Sequence, residues 1–448
     1  MEWFPEKMYT RYKHWIEGLQ WDWCISRQRD SGIPFPVWYC EECGEEVLAR
    51  KEDLPVDPIQ DKPPVDECQE CGHSEFEAEE DVFDTWATSS LTPLINAGWD
   101  WNHKEEEFEM EHPELYQFSM RPQGHDIISF WLFHTVVKCM EHTGEVPFES
   151  TMINGMVLDK YRKKMSKSKG NVVTPEEVLE NHPVDAARYW AAGTSIGDDF
   201  PFKDKDLVAG EKLMRKIWNA SKLVEHLIES DSISISSDEM DEIDRYMMAK
   251  LDNLLEEVTE HFEEREFSKA RNKLRHQFWN VFCDNYLEIA KQKLDEEQSQ
   301  STEYALQHSH KAFLKMFAPF LSHITEELYQ DMYSSKSIHN SDWPETSDVQ
   351  SDVEKGDAAM ETITALRKYK SENLMSPTAE LESIKVFSDI SGFEDDVKNV
   401  MHVQELEIVD DEPEMETMIK EIKLDYEQAG PEYGNKIGKI EAALEENK

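Results

Sequence analysis

From about residue 206 onward the hydrophobic pattern of this chain changes period, and that change constrains the architecture more than any single motif does. Upstream, short apolar runs alternate with turns marked by Gly and Pro. Downstream, as far as about residue 334, apolar residues recur three and four positions apart, so that several long helices each carry one apolar stripe. Stripes of that kind must bury one another, and the segment reads as a helical bundle. Helices are expected at roughly 207–230, 239–264, 267–297 and 303–334, with Phe278, Phe282 and Tyr286 in the core. After Trp343-Pro344 the pattern shortens again to a helix near 353–373, strands at 383–387, 405–409 and 419–424, and a closing helix. The expected fold is multidomain α/β plus α: an α/β part over 1–205, a helical bundle over 206–345 and a small α+β module over 346–448.

Charge supplies the second constraint. Asp and Glu total 95 against 47 Lys and Arg, for a formal net charge of -48, and the excess is spread along the chain. Such a surface suits a halophile's protein, because self-repulsion is screened when the Debye length falls to roughly 3 Å at 1 M salt. Against that background the residues from Lys160 to Lys169 hold six basic side chains and no acid. Ser, Gly and Asn interleaved with lysines make a loop whose ammonium and backbone N–H groups can gather round a polyphosphate. A solvated basic loop is the ordinary alternative. Here a strand-like run at 151–158 leads in, and Thr174-Pro175-Glu176-Glu177 opens a helix behind, with a cap, a proline at the first helical position and a glutamate at the third. The Gly-, Asp- and Pro-rich segment from 195 to 204 reads as a linker.

The seven cysteines include two C-x-x-C-G pairs, Cys40 with Cys43 and Cys68 with Cys71. Each short turn aims two sulfurs at one point, and the glycine after it accepts positive φ. A structural four-cysteine Zn²⁺ site is expected rather than disulfides. No apolar run approaches the roughly 18 residues of a membrane span and no signal-peptide pattern opens the chain, so a cytoplasmic location without membrane partners is expected.

Phe118-Ser-Met-Arg-Pro-Gln-Gly-His-Asp126 reads as a short strand, a turn at Gly124 and a helix from about Asp126. Strand-to-helix turns of this kind bind ligands in open α/β sheets. Asp126 could accept hydrogen bonds from ribose hydroxyls, and Trp86, Ile127 and Trp131 could wall an apolar pocket. Core packing is the ordinary alternative for each of the three.

Lys164-Met165-Ser166-Lys167-Ser168 resembles the K-M-S-K-S signature of class I aminoacyl-tRNA synthetases. Trp15-Ile-Glu-Gly-Leu19, Asp22-Trp-Cys-Ile-Ser-Arg-Gln-Arg29 and the run from Phe278 to Glu288 point to the valine, isoleucine and leucine subgroup. Asp84-Thr-Trp-Ala-Thr-Ser-Ser90, the Arg121 to Trp131 segment and Ile153-Asn-Gly-Met-Val157 resemble the archaeal valyl type. The resemblance implies activation of valine with ATP and Mg²⁺ and transfer to tRNA-Val, with 1–205 as the C-terminal half of a Rossmann-like nucleotide-binding catalytic domain and the bundle as the anticodon-binding domain. It implies Lys164 and Lys167 as catalytic residues and Gly124, Asp126, Gly155, Met156, Met165, Ser166 and Ser168 around ATP and the adenylate. Trp86, Ile127 and Trp131 would shape the amino-acid pocket. An isoleucyl enzyme and a non-catalytic tRNA-binding module are the alternatives. No H-x-G-H motif and no editing insertion occur in the chain. The expectation is therefore a C-terminal portion that holds half of an active site, with the N-terminal half as a possible partner. Arg162 stands where a glycine is common in the family, adding charge to the loop.

Overall fold

The computed structural model describes residues 1–102, 104–105, 107–229, 233–296 and 299–409, in two compact units divided between residues 350 and 351. The strand expected at 419–424 and the closing helix lie outside the described residues.

In the first unit three parallel strands, β1 (Glu2–Phe4), β2 (Phe118–Gly124) and β3 (Phe148–Asn154), lie in the order β1-β3-β2. The register pairs Phe148 with Phe118 and Asn154 with Gly124, so both longer strands end level. Parallel neighbours need a crossover. It is built from a tight turn at His125–Ile127, wide π-type turns at Ile128–Leu132 and the α-helix Phe133–Thr143, which closes on Gly144 at φ 77°. The helix expected from Asp126 thus begins irregularly. The wide turns seat Ile128, Trp131 and Leu132 in the core while Phe130 stays exposed. That core also takes Met8 and Tyr12 from α1 (Lys7–Gly18), whose one apolar face covers the sheet.

The run at 151–158 is two strands. It breaks at Gly155, where a Cβ would come 2.0 Å from the Asp198 carbonyl oxygen. Val157–Leu158 then pairs in parallel with Phe200–Pro201. The segment expected to be a linker is therefore part of the fold, which periodicity could not reveal because the pairing is non-local.

The helix after the basic loop starts as its sequence demands. Thr174 accepts from the Glu177 N–H at 3.3 Å and Glu177 accepts from the Thr174 N–H at 3.1 Å, a complete capping box over Pro175–Asn181. Val184–Ala191 follows and joins the sheet side to the bundle. Its Asp185, 2% exposed, accepts from the N–H groups of His323 (3.1 Å) and Ile324 (2.8 Å) and from the His323 ring (2.9 Å). The carboxylate thereby caps a helix of the bundle from outside it. Arg188 adds a bond to the Pro319 carbonyl at 2.8 Å.

The bundle consists of Asp204–Leu227, Glu242–Glu263, Phe267–His276 running through wide turns at Gln277–Tyr286 into Leu287–Glu296, then Gln300–Phe317 and Ser322–Met332. The single helix expected at 303–334 is two, because Pro319 offers no N–H and its ring clashes with the preceding turn. Phe278, Phe282 and Tyr286 are core, as their spacing predicts, at 1% exposure or less. Phe278 meets Phe313 and Phe317 edge to face at 5.2 and 5.4 Å, and fully burying each such ring contributes roughly 1.5–3 kcal/mol. Asp244, fully buried, is satisfied by the hydroxyls of Tyr286 (2.7 Å), Ser301 (2.7 Å) and Thr302 (2.8 Å).

In the second unit, helix Val353–Glu372 precedes two parallel strands, Leu381–Val386 and Val403–Ile408, joined through helix Glu394–Met401. Lys370 is buried there, and its ammonium donates to the carbonyls of Pro377 (2.9 Å) and Met401 (2.8 Å). Burial holds its pKa below the usual lysine range.

Candidate functional site

The two strand ends that finish level are tied together by one carboxylate. Asp199 accepts from the Met156 N–H at 2.7 Å and lies 2.7 Å from His125 Nε2, while Arg11 reaches His125 Nδ1 at 3.2 Å. The Met156 N–H first, then His125, hold the Asp199 carboxyl below its ordinary range. Gly124, Asp126, Gly155 and Met156, all singled out from sequence, therefore gather at the carboxyl edge of the parallel strands. Asp126 folds back over Gly124, where a Cβ would meet its Oδ1 at 2.7 Å. At both glycines the missing side chain makes room for the chain itself, Asp126 Oδ1 over Gly124 and the Asp198 carbonyl over Gly155, and strand ends of this kind bind ligands in open α/β sheets. His125, Asp199 and Arg11 were not legible as a group, since they come from three separated segments.

The basic loop follows directly on Val157–Leu158, the short strand that leaves this edge. Leu158 bridges to Lys164, and between them Lys160, Tyr161 and Arg162 form a three-residue hairpin loop. The last residue of such a loop takes left-handed φ. Arg162 has φ 62°, and this geometry accounts for glycine being common there. Asp159, 8% exposed, holds the turn by accepting from the N–H groups of Tyr161 (2.9 Å) and Lys163 (2.8 Å). Its other oxygen accepts from the Asn171 amide at 2.8 Å. Asn171 closes the loop at the far end, donating to the Lys164 carbonyl (3.3 Å) and accepting from the Ser166 N–H (3.0 Å). The Asn171 bond, followed by the backbone donors, keeps the Asp159 carboxyl below its ordinary range. The Ser166 and Ser168 hydroxyls lie 3.2 Å apart, Met165 is half-buried, and Lys167–Lys169 make one tight turn closed by Gly170 at φ 64°.

All six cations of the loop are solvent exposed, and none enters a salt bridge among the described residues. Backbone and neutral groups hold the loop while its charges stay available to a ligand. Asp159 and Asn171 are thus positioning residues that sequence reading passed over. The acid directly after the strand and the Asn after Lys-Gly were the available signals.

The aromatic residues divide differently from expectation. Trp131 is a core residue, with the Arg121 guanidinium 3.7 Å over its ring and Phe148 5.9 Å away. Trp86 stacks instead near Phe130, at 6.1 Å and 23°, and both are partly exposed. Ile127 is half-buried and packs against the core that holds Trp131. Trp86 is positioned by Asp84, which accepts its N–H at 2.8 Å and pairs with Arg27 at 2.9 Å. Phe130 is the exposed aromatic that helical spacing had assigned together with Trp131.

In the knuckle, antiparallel strands Val37–Cys40, Glu46–Leu48 and Phe76–Ala78 carry the first cysteine pair. Both turns share one geometry. Gly44 and Gly72 stand at φ 74° and 76°, and their N–H groups bond back to the Cys40 and Cys68 carbonyls at 2.8 and 2.9 Å. The Sγ atoms of Cys40 and Cys71 lie 3.5 Å apart and those of Cys43 and Cys68 3.6 Å apart, with all four within 4.8 Å of one another. Four sulfurs about 2.3 Å from a tetrahedral ion would sit roughly 3.8 Å apart, so the group fits one four-coordinate metal.

Comparisons with known proteins agree with this arrangement. The family model for class I tRNA synthetases (I, L, M and V) matches residues 1–203, and that for the anticodon-binding domain of tRNA ligase matches 244–386. A valine–tRNA ligase of Haloarcula marismortui is 61% identical over 96% of this chain and 48% of its own length. One from Methanothermobacter thermautotrophicus is 40% identical over 97% of this chain and 49% of its own length. The chain thus spans about half the length of these curated relatives. Among solved structures, the Agrobacterium radiobacter LeuRS in a ternary complex with tRNA and LeuAMS superposes with a TM-score of 0.58 at 22% identity. It covers 76% of this chain and 46% of that one. The Mycobacterium tuberculosis methionyl-tRNA synthetase with methionyl-adenylate gives 0.51 at 18% identity, over 73% and 58%. Fold, loop, knuckle and both matching models together place the chain in the class I aminoacyl-tRNA synthetase family.

Proposed function

We propose that this chain supplies the loop-bearing part of the adenylate site and the tRNA-binding helices of a valine–tRNA ligase. The observation that carries the reading is the ordered loop of exposed cations, free of salt bridges among the described residues and following the strand that leaves two level strand ends, in a chain of net charge -48. The valine carboxylate attacks the α-phosphate of ATP, a new carbonyl-O–P bond forms, and the α–β bond breaks with its electron pair leaving on pyrophosphate. Lys164 and Lys167 offset that growing charge, with Met165, Ser166 and Ser168 shaping the loop. Mg²⁺ travels with the ATP phosphates. Gly124, Gly155 and Met156 border the adenylate, and Asp126 holds the ribose. Trp86, Ile127 and Trp131 form or back the side-chain pocket, with Phe130 added to the expected set. In the second step a ribose hydroxyl at the tRNA end attacks the aminoacyl carbonyl and AMP leaves. Little covalent work falls to the protein, so positioning and charge stabilisation provide the rate.

Structural Zn²⁺ held by Cys40, Cys43, Cys68 and Cys71 would stiffen the knuckle. The reading places the protein in the cytoplasm, where aminoacylation supplies translation. The relatives' names and their identity support valine as substrate. In the complete enzyme Lys167→Ala is expected to slow valine-dependent ATP–pyrophosphate exchange by about 10²–10³ and to leave tRNA affinity nearly unchanged. Equal loss of both would sink the assigned role, and exchange favouring isoleucine would sink the choice of amino acid.

A further inference from the structure

Away from the basic loop, a cavity of about 410 Å³ opens between the segment that follows Val184–Ala191 and helix Phe267–His276. Three cations line it, Lys203, Arg271 and Arg275, against one acid, Asp206, which reverses the sign of the protein as a whole. Trp190 adds an aromatic wall, with Phe200 5.3 Å from its ring.

Two polar atoms at this cavity have no partner. Tyr189 lines it, is 3% exposed, and its hydroxyl is buried without a hydrogen bond; the buried Nε of Arg271 is likewise unpaired. Both atoms are closed off from the cavity's solvent, so the donors left for a ligand there are the Arg271 Nη groups and the two outer cations. The Arg271 guanidinium lies 4.4 Å over the Tyr189 ring and is held from behind by the Tyr189 carbonyl at 2.8 Å and by Asn272 Oδ1 at 2.9 Å. It enters no salt bridge among the described residues. Gly193 makes room for it, since a Cβ there would meet Arg271 Nη1 at 2.4 Å. A planar fork fixed by two protein acceptors and two outer cations make an anion receptor. The indole beside them suits a base or ribose more than a bare inorganic ion.

We propose that this cavity is a phosphate-recognition site for one backbone phosphate of the bound RNA, with Arg271 and Arg275 as its donors, Lys203 at its mouth and Trp190 against the adjoining nucleotide. The proposal deepens the reading of the chain as part of a tRNA ligase and rests on it. Its placement suits concentrated salt, where charges acting at a distance are screened and a contact made in a recess persists.

The test measures binding of a tRNA transcript to this chain across a range of KCl concentrations, for wild type, Arg275→Ala, Lys203→Ala and Tyr189→Phe. Arg275 and Lys203 are exposed, so their loss leaves the fold intact. Arg275→Ala is expected to lower affinity roughly tenfold and to reduce the salt slope by about one. Tyr189→Phe removes only the sealed, unpartnered hydroxyl and serves as the control, expected to leave affinity unchanged while thermal stability holds or rises. Unaltered affinity and slope in both Arg275→Ala and Lys203→Ala would overturn the proposal. So would a site seen only by inorganic phosphate, with ³¹P line broadening abolished by Arg275→Ala and RNA affinity unmoved. ATP–pyrophosphate exchange by the complete enzyme needs no tRNA and should survive every variant. Its absence from the wild type would sink the ligase reading, whatever this cavity binds.

Discussion

Asp185 offers the sharpest perturbation, because one buried carboxylate satisfies the start of a helix belonging to another layer. Replacing it with alanine leaves the N–H groups of His323 and Ile324 without their acceptor, and both bonds are within 3.1 Å in the native chain. Loss of a cap costs about 0.5–2 kcal/mol, and an uncompensated buried donor costs about 1–3 kcal/mol. These overlap, so a joint loss of about 3 kcal/mol is expected for Asp185→Ala. Asp185→Asn keeps one acceptor oxygen while losing the charge that favours a helix N-terminus, and about 1 kcal/mol is expected. Hydrogen exchange followed by mass spectrometry on the segment 318–332 reads the difference directly, since local opening sets protection. For alanine, about 3 kcal/mol corresponds to a loss of protection near 10²-fold, and for asparagine the loss should be several-fold. Protection equal to wild type in the alanine variant would refute the claim that this carboxylate joins bundle to sheet side.

Three further outcomes are expected. Asn171→Ala removes bonds to Asp159, Lys164 and Ser166, so in the complete enzyme exchange should slow by at least tenfold and Km for ATP should rise; unchanged kinetics would remove Asn171 from the positioning set. His182 lies between Glu211 (2.6 Å) and Asp204 (2.9 Å), which raise its pKa, Glu211 foremost. A raised folded value means its stabilisation is complete below the ordinary value of about 6.5 and is lost as pH climbs through the folded one. The stability gap between wild type and His182→Gln should therefore narrow on the alkaline side, and a gap independent of pH would contradict the pairing. Stripping metal with a chelator should expose four reactive thiols in the knuckle and release about one zinc per chain; a fully folded knuckle whose thiols resist labelling without metal would refute the four-thiolate centre.

What could be read beforehand was mostly local. The capping box at Thr174, the paired Cys-x-x-Cys-Gly turns and the core stripe through Phe278, Phe282 and Tyr286 each follow from neighbours within a few residues. The break at Pro319 was equally local and was overrun by the periodicity on either side. Non-local features were harder. Nothing in the 195–204 segment announces that Phe200–Pro201 pairs with Val157–Leu158, or that Asp199 meets His125 and Met156. Trp131 was given to a pocket and lies in the core because the wide turns before Phe133 shift which face each side chain takes. A pattern scan assuming 3.6 residues per turn cannot see a shift of that size in five residues.

The other stretch of wide turns, Gln277–Tyr286, has a mechanical corollary. Its aromatic residues step by four, which suits a winding looser than the α-helix and lets Phe278, Phe282 and Tyr286 rise as one column. The looser winding also sets the azimuth of everything after it, including Lys293, whose ammonium reaches Asp241 at 2.8 Å across the bundle. This stretch therefore works as a phase adjuster: each wide turn that tightened to α at unchanged length would swing the rest of the helix by about 100° and carry Lys293 away from its acid, whereas deleting that turn's extra residue would restore the phase.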